Sequence, residues 1–190
     1  MNQKRVAIFA SGNGSNAMNI IEHFEDHPIV EIAFVLSNST QAKVLHLANE
    51  KGVKTILCSN EEVANETYLV SICRDHHIDF IILAGFLRKI PTSLIHAFPE
   101  KIINIHPSLL PKFGGKGMYG MYVHEAVALS EEEETGITIH FVNEEFDKGK
   151  IIAQFSIPLS EQETPSSIQL KVQQLEHTYF ASTIEKTIML

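Results

Sequence analysis

Five short apolar runs, each separated from the next by a stretch of helical periodicity, fill the first 106 residues. Few architectures accommodate that alternation. Arg5–Ala10, Val30–Leu36, Lys54–Leu57, Phe80–Ala84 and Ile102–Ile105 are short, rich in β-branched residues and bounded by Gly, Ser, Asn or Pro. Each therefore reads as a buried strand. Between them, Asn16–Phe24, Gln41–Lys51, Asn60–His76 and Pro91–Phe98 have helical patterns. Alternation of this kind predicts a parallel sheet covered by helices on both faces, a doubly wound, Rossmann-like α/β fold with right-handed crossovers. After residue 106 the pattern changes. A helix near Tyr122–Leu129 precedes two strands, Gly136–Phe141 and Ile151–Pro158. The loop between them, Asn143–Gly149, is short enough to predict an antiparallel pair. A last helix follows, with Thr164 as its cap and Pro165 in its first turn. There is no internal repeat or linker, and 190 residues suit one domain spanning 1–190.

The octapeptide Asn104-Ile105-His106-Pro107-Ser108-Leu109-Leu110-Pro111 carries the chemistry. Residues two apart on a strand share a face, so Asn104 and His106 emerge together where the fifth strand ends. Pro107 biases His106 toward extended backbone. An amide can donate to a developing oxyanion and an imidazole can move a proton near neutral pH, a pair suited to acyl transfer. The Pro-to-Pro segment that follows is too short for a helix and reads as a shaped loop. Asp147, between the two late strands, can orient the imidazole and stabilise its cation if its loop folds back over His106.

The first strand runs into Ser11-Gly12-Asn13-Gly14-Ser15-Asn16, which with Ala17 fits G-x-G-x-x-A. Such a loop brings backbone N–H groups to an anion at a helix N-terminus. A dinucleotide site also wants an acidic residue after the second strand, but that stretch reads Ser37-Asn38-Ser39. No Gly-Lys-Ser/Thr completes a Walker motif either. A phosphate monoester on a small substrate is the better fit. A non-catalytic nucleotide-binding module also explains the loop, but leaves Asn104, His106 and Asp147 as coincidences.

Net charge of −8 argues against a partner that tracks nucleic-acid phosphates. Cys58 and Cys73 lack metal-ligand spacing and suit a reducing compartment, and the adjacent His76 and His77 cannot share a face. The N-terminal apolar run, Val6–Ala10, is too short for a signal peptide or a membrane span, which predicts a cytoplasmic protein with no membrane partner.

Four blocks in order carry a resemblance that spans nearly the whole chain: Ser11–Asn16, Leu83–Arg88, Asn104–Pro111, and Gly136–Val142 continuing to Asp147-Lys148-Gly149. The chain resembles the phosphoribosylglycinamide formyltransferases, folate-dependent enzymes of purine synthesis. The resemblance implies direct transfer of the formyl group of 10-formyltetrahydrofolate to the amine of glycinamide ribonucleotide. It implies Asn104, His106 and Asp147 as catalytic residues, and no metal. Gly14, Ser15 and Asn16 would hold the ribose phosphate and Glu176 the ribose. Leu87, Arg88, Ile90, Asn143 and Glu144 would line the folate pocket. The implied partners are small molecules, with the chain a monomer or homodimer. Two stretches depart from the pattern. Lys112–Val123 is glycine-rich and longer than in the shorter members, and Asn60-Glu61-Glu62 lacks an Arg that some members offer to the folate tail.

Overall fold

The computed structural model describes residues 3–161 and 163–190. Among the described residues, seven strands and seven helices run in the order β1 (Lys4–Phe9), α1 (Ser15–His23), β2 (Val30–Ser37), α2 (Lys43–Glu50), β3 (Thr55–Leu57), α3 (Asn60–Ala64), α4 (Tyr68–Asp75), β4 (Phe80–Leu83), α5 (Thr92–Ala97), β5 (Ile102–His106), α6 (Met121–Ala128), β6 (Glu134–Phe141), β7 (Ile151–Pro158) and α7 (Pro165–Ile188). The strands form a mixed sheet in the order β3-β2-β1-β4-β5-β6-β7. The chain groups into two compact units, divided inside β5 after Ile103.

In the first unit β3, β2, β1 and β4 are parallel. The apolar runs of β2, β1 and β4 are buried on both faces, with Ile8, Phe9, Phe34, Leu36, Ile81 and Ile82 fully buried, whereas Leu57 of the edge strand β3 is exposed. The rings of Phe9 and Phe34 lie 6.5 Å apart, and Phe86 meets Phe9 edge-on at 5.5 Å. Strand order reverses between β1 and β4, neighbours in space but far apart in sequence. Loops at the carboxyl ends of strands flanking such a switch form a crevice in open α/β sheets.

Element bounds shift by a residue or two from expectation, and one expected helix is divided. Asn60–His76 is not one helix but two, α3 and α4. Asn65 breaks it: its Oδ1 accepts from Thr67 N at 2.9 Å, Thr67 Oγ1 at 2.9 Å and Tyr68 N at 3.2 Å, starting a fresh helix. Local side-chain bonds of this type compete with helix continuation. The new α3 has a capping box, in which Ser59 Oγ accepts from Glu62 N at 3.1 Å and Ser59 N donates to Glu62 Oε2 at 2.6 Å.

In the second unit β6 and β7 pair antiparallel, with Ile137 opposite Phe155 and Thr138 opposite Gln154. β6 starts two residues before the expected Gly136. Gly136 is required where the strands meet, because a Cβ there would stand 2.0 Å from Phe155 O. Thr164 caps α7 as expected, accepting from Ser167 N at 3.1 Å, with Pro165 in the first turn. α7 packs on α6, β6 and β7. Among the described residues no helix is long and apolar enough to cross a membrane.

Candidate active site

β5 stays extended through His106, and its alternation buries Ile103 and Ile105 while Asn104 is half-exposed. The segment after it is pinned. Thr138 Oγ1 donates to Ser108 O at 2.7 Å and accepts from Leu110 N at 2.9 Å. Gln154 Nε2 donates to Leu110 O at 2.9 Å, and Ser108 Oγ donates to Lys112 O at 2.8 Å. The Leu110–Pro111 bond is cis. Thr138 and Gln154, neighbours across β6 and β7, thus fix the loop that continues from His106.

The loop bearing Asp147 folds back over His106. Asp147 Oδ2 lies 3.6 Å from His106 Nδ1, and Oδ1 lies 3.7 Å from His140 Nε2. The carboxylate therefore sits between two imidazoles, just beyond direct hydrogen-bonding range of each. It accepts a 2.9 Å bond from Gly115 N. Asp147 has a left-handed backbone, φ 57°, and Gly114 beside it is packed so closely that a Cβ would come within 3.3 Å of Asp147 Cβ and 2.4 Å of Leu110 Cδ2. Gly149 closes the same loop, where a Cβ would lie 1.6 Å from Phe141 O. The glycine-rich segment after Pro111 is thus part of the site's support.

His106 is 4 % exposed, and its Nε2 lies 2.8 Å from the Phe113 carbonyl, to which it donates. Burial lowers its pKa from the ordinary 6.5, against the opposing pull of the Asp147 charge and the Phe113 carbonyl. Burial alone would raise the Asp147 pKa. The approach of His140, the charge available on His106 and the Gly115 amide outweigh it, so the carboxyl titrates below its ordinary range. Protonation of His106 would place a donor on each side of the ring, one to Phe113 O and one toward Asp147.

Two residues here were not singled out from sequence. His140 Nδ1 lies 2.8 Å from Phe141 O, and its Nε2 lies 3.1 Å from Asn104 Nδ2. Phe141 O can only accept, so Nδ1 donates to it, and in the tautomer with a bare Nε2 that nitrogen accepts from Asn104. Asn104 is thereby oriented with its second N–H uncommitted to His140. The sequence signal was the alternation Thr138-Ile139-His140, which places two polar groups on one face of β6. His124 of α6 is also buried, and its Nδ1 has no hydrogen bond among the described residues. Burial, and secondarily the charge of His106, pushes its pKa down to about 4.

The remaining expected residues lie as follows. Gly14, at φ 84°, is the N-cap of α1, and a Cβ there would meet Val44 Cγ2 at 2.5 Å. Ser15 opens the helix and is exposed, and Asn16 is half-exposed. Leu87 and Arg88 are exposed in the loop after β4, whereas Ile90 of the same loop is buried, at 4 % exposure. Asn143 accepts from Glu145 N at 3.1 Å, Glu144 is exposed, and Glu176 is half-exposed on α7. A depression of about 420 Å³ between β7 and α7 is lined by none of these residues. Among the described residues, no group of three or more His, Cys, Asp or Glu could hold a metal ion.

A family model described as formyl transferase matches residues 4–184. The chain is 36% identical over 188 residues to a chloroplastic phosphoribosylglycinamide formyltransferase of Arabidopsis thaliana, covering 96% of this chain and 64% of that protein. A Vigna unguiculata relative of the same name is 37% identical, with 60% of its length covered. The chain therefore spans less than two thirds of these two plant relatives. The Bacillus subtilis (strain 168) phosphoribosylglycinamide formyltransferase is 35% identical over 190 residues, with 97% of this chain and 95% of that one covered. Among solved structures, the phosphoribosylglycinamide formyltransferase of Anaplasma phagocytophilum superposes with a TM-score of 0.88 at 30% identity, covering 96% of this chain and 86% of that one. That of Bacillus halodurans gives 0.87 at 34% identity, covering 96% and 94%. With a family match over nearly its whole length, and an amide, two imidazoles and a carboxylate gathered at the end of β5, this chain belongs to the formyl transferase family.

Proposed function

We propose that this protein transfers the formyl group of 10-formyltetrahydrofolate to the amino group of glycinamide ribonucleotide, by direct attack of the amine through a tetrahedral intermediate. The observation that carries the reading is the arrangement of Asn104, His106 and His140 around Asp147. The formyl carbonyl becomes an oxyanion as the C–N bond forms. Asn104, oriented by His140, donates to that oxygen, and cationic His106 stabilises its charge. His106 reaches the substrate only if its bond to Phe113 O gives way, because Nε2 is already committed there. Asp147 stabilises the imidazolium and assists movement of a proton from the attacking amine to the leaving folate nitrogen. Collapse of the intermediate breaks the bond between the formyl carbon and that nitrogen.

The anion reading of Gly14, Ser15 and Asn16 is supported by a left-handed glycine capping a nine-residue helix. Glu176 contacts the ribose, and Leu87, Arg88, Ile90, Asn143 and Glu144 line the folate site. One formyltransferase domain over 1–190 and action in the cytoplasm as a monomer or homodimer complete the proposal.

The deciding assay follows deformylation of 10-formyl-5,8-dideazafolate with and without glycinamide ribonucleotide. Deformylation that requires the ribonucleotide is the expected result. Deformylation without it assigns a hydrolase. No reaction in a protein that binds the folate leaves the acceptor misassigned.

A further inference from the structure

The serine that opens the phosphate loop, Ser11, lies outside the three positions read as holding an anion. Its side chain is nevertheless committed at both ends. Ser11 Oγ accepts from Leu87 N at 3.0 Å and donates to Asn38 Oδ1 at 2.7 Å. Asn38 Nδ2 donates onward to Asn60 Oδ1 at 2.9 Å. Ser11 N also donates to Gly85 O at 3.0 Å. One hydroxyl thus ties together the loops that follow β1, β2 and β4, and the amide of Asn38 carries the relay to the first turn of α3. Each member uses a donor and an acceptor in one direction, so the bonds polarise one another.

The β4 loop depends on this relay. Leu87 is 60 % exposed, so side-chain packing fixes it little. Gly85 is left-handed, at φ 76°. Beside the packing of Phe86 on Phe9 and the burial of Ile90, the loop backbone around Leu87 is held by two bonds to Ser11, one to its amide and one to its hydroxyl. A methyl in place of the hydroxyl would strip the acceptor from Leu87 N and the donor from Asn38 Oδ1. The same relay explains why an amide stands after β2, where a dinucleotide site wants a carboxylate: Asn38 needs both its carbonyl and its NH2 to bridge Ser11 and Asn60, and a carboxylate cannot donate.

We infer that Ser11 is a positioning residue that sets the Leu87–Arg88 loop for the formyl donor while leading into the phosphate loop. The inference rests on the folate reading of that loop given above. It says that a residue of the phosphate-loop motif controls affinity for the other substrate.

The test compares Ser11→Ala, Ser11→Thr and wild type. It measures KM for 10-formyl-5,8-dideazafolate, KM for glycinamide ribonucleotide, and hydrogen exchange of the Leu87 amide. Ser11→Ala should raise KM for the folate about tenfold, more than it changes KM for the ribonucleotide or kcat, and Leu87 exchange should accelerate. Ser11→Thr, which keeps the hydroxyl, should restore both folate KM and Leu87 protection. Unchanged folate KM in Ser11→Ala overturns the inference and leaves the proposed activity standing. Equal weakening of both substrates, unrescued by Thr, shows a merely structural residue and overturns it as well. A wild type that binds no folate overturns both the inference and the reading it rests on, whatever Leu87 does.

Discussion

His106 is held by the protein at one ring nitrogen, by Phe113 O, while its other nitrogen faces the Asp147 carboxylate at 3.6 Å. In the proposed mechanism, removal of this ring takes away a charge that the transition state needs. His106→Ala or Asn104→Ala should lower kcat by about 100-fold or more in folded protein, with a smaller change in KM. Wild-type turnover in either variant would end its assignment. His124 bears on stability. Its folded pKa of about 4 lies below the ordinary 6.5, so the unfolded chain binds the extra proton between those values. Its contribution is complete above pH 6.5 and is lost as pH falls toward 4, about 3 kcal/mol in all. Burial of His106 acts in the same direction. Urea unfolding across that range should therefore show stability falling with acid, and His124→Leu should flatten the slope by about one proton. An unchanged slope would show that His124 does not titrate this way.

At the scale of elements, the strand pair β6–β7 and the loop leading into α1 are the parts most sensitive to small changes. Gly136 faces Phe155 O so closely that no side chain fits. Gly136→Ala should cost at least about 2 kcal/mol, read from the urea midpoint, because the strands must separate to admit a methyl. A shift within a few tenths of a kcal/mol would mean that the strand pair yields easily. Ser15 opens α1 and is exposed. Ser15→Asp puts a carboxylate at the helix end read as holding a phosphate, and like charge should weaken glycinamide ribonucleotide at least about tenfold while folate affinity is retained. Equal ribonucleotide affinity in that variant would move the phosphate elsewhere. The helix boundary at Asn65 shows how local chemistry overrides periodicity. The apolar spacing over residues 60–76 suits one helix, yet one side chain with three acceptor contacts divides it.

For the whole molecule, net charge of −8 and a phosphate-bearing substrate are compatible only if the binding loop supplies local donors. A ligand bound only by the folded chain stabilises all of it. Glycinamide ribonucleotide at 100 times its dissociation constant should add about 2.7 kcal/mol, visible as a raised Tm that grows with concentration. Ribose 5-phosphate should produce part of that shift if the phosphate loop carries much of the affinity. No shift with either ligand would argue against the proposed acceptor.

The sequence by itself determined the parallel strands, the antiparallel pair β6–β7, the cap of α7 and the shared face of Asn104 and His106. Each rests on information local in the chain or on the order of neighbouring elements: periodicity within a segment, the alternation of strands and helices, the length of one loop, and the residue at a helix start. Only the tertiary structure decided that His140 orients Asn104, that Asp147 lies between two imidazoles, that Phe113 O holds His106, and that Ser11 ties three loops together. Apart from Phe113 to His106, those contacts join positions far apart in the chain, Ser11 to Leu87 or Asn104 to His140. A histidine on a strand or a serine before a glycine carries no mark of its partner until strand order and loop path bring the two together.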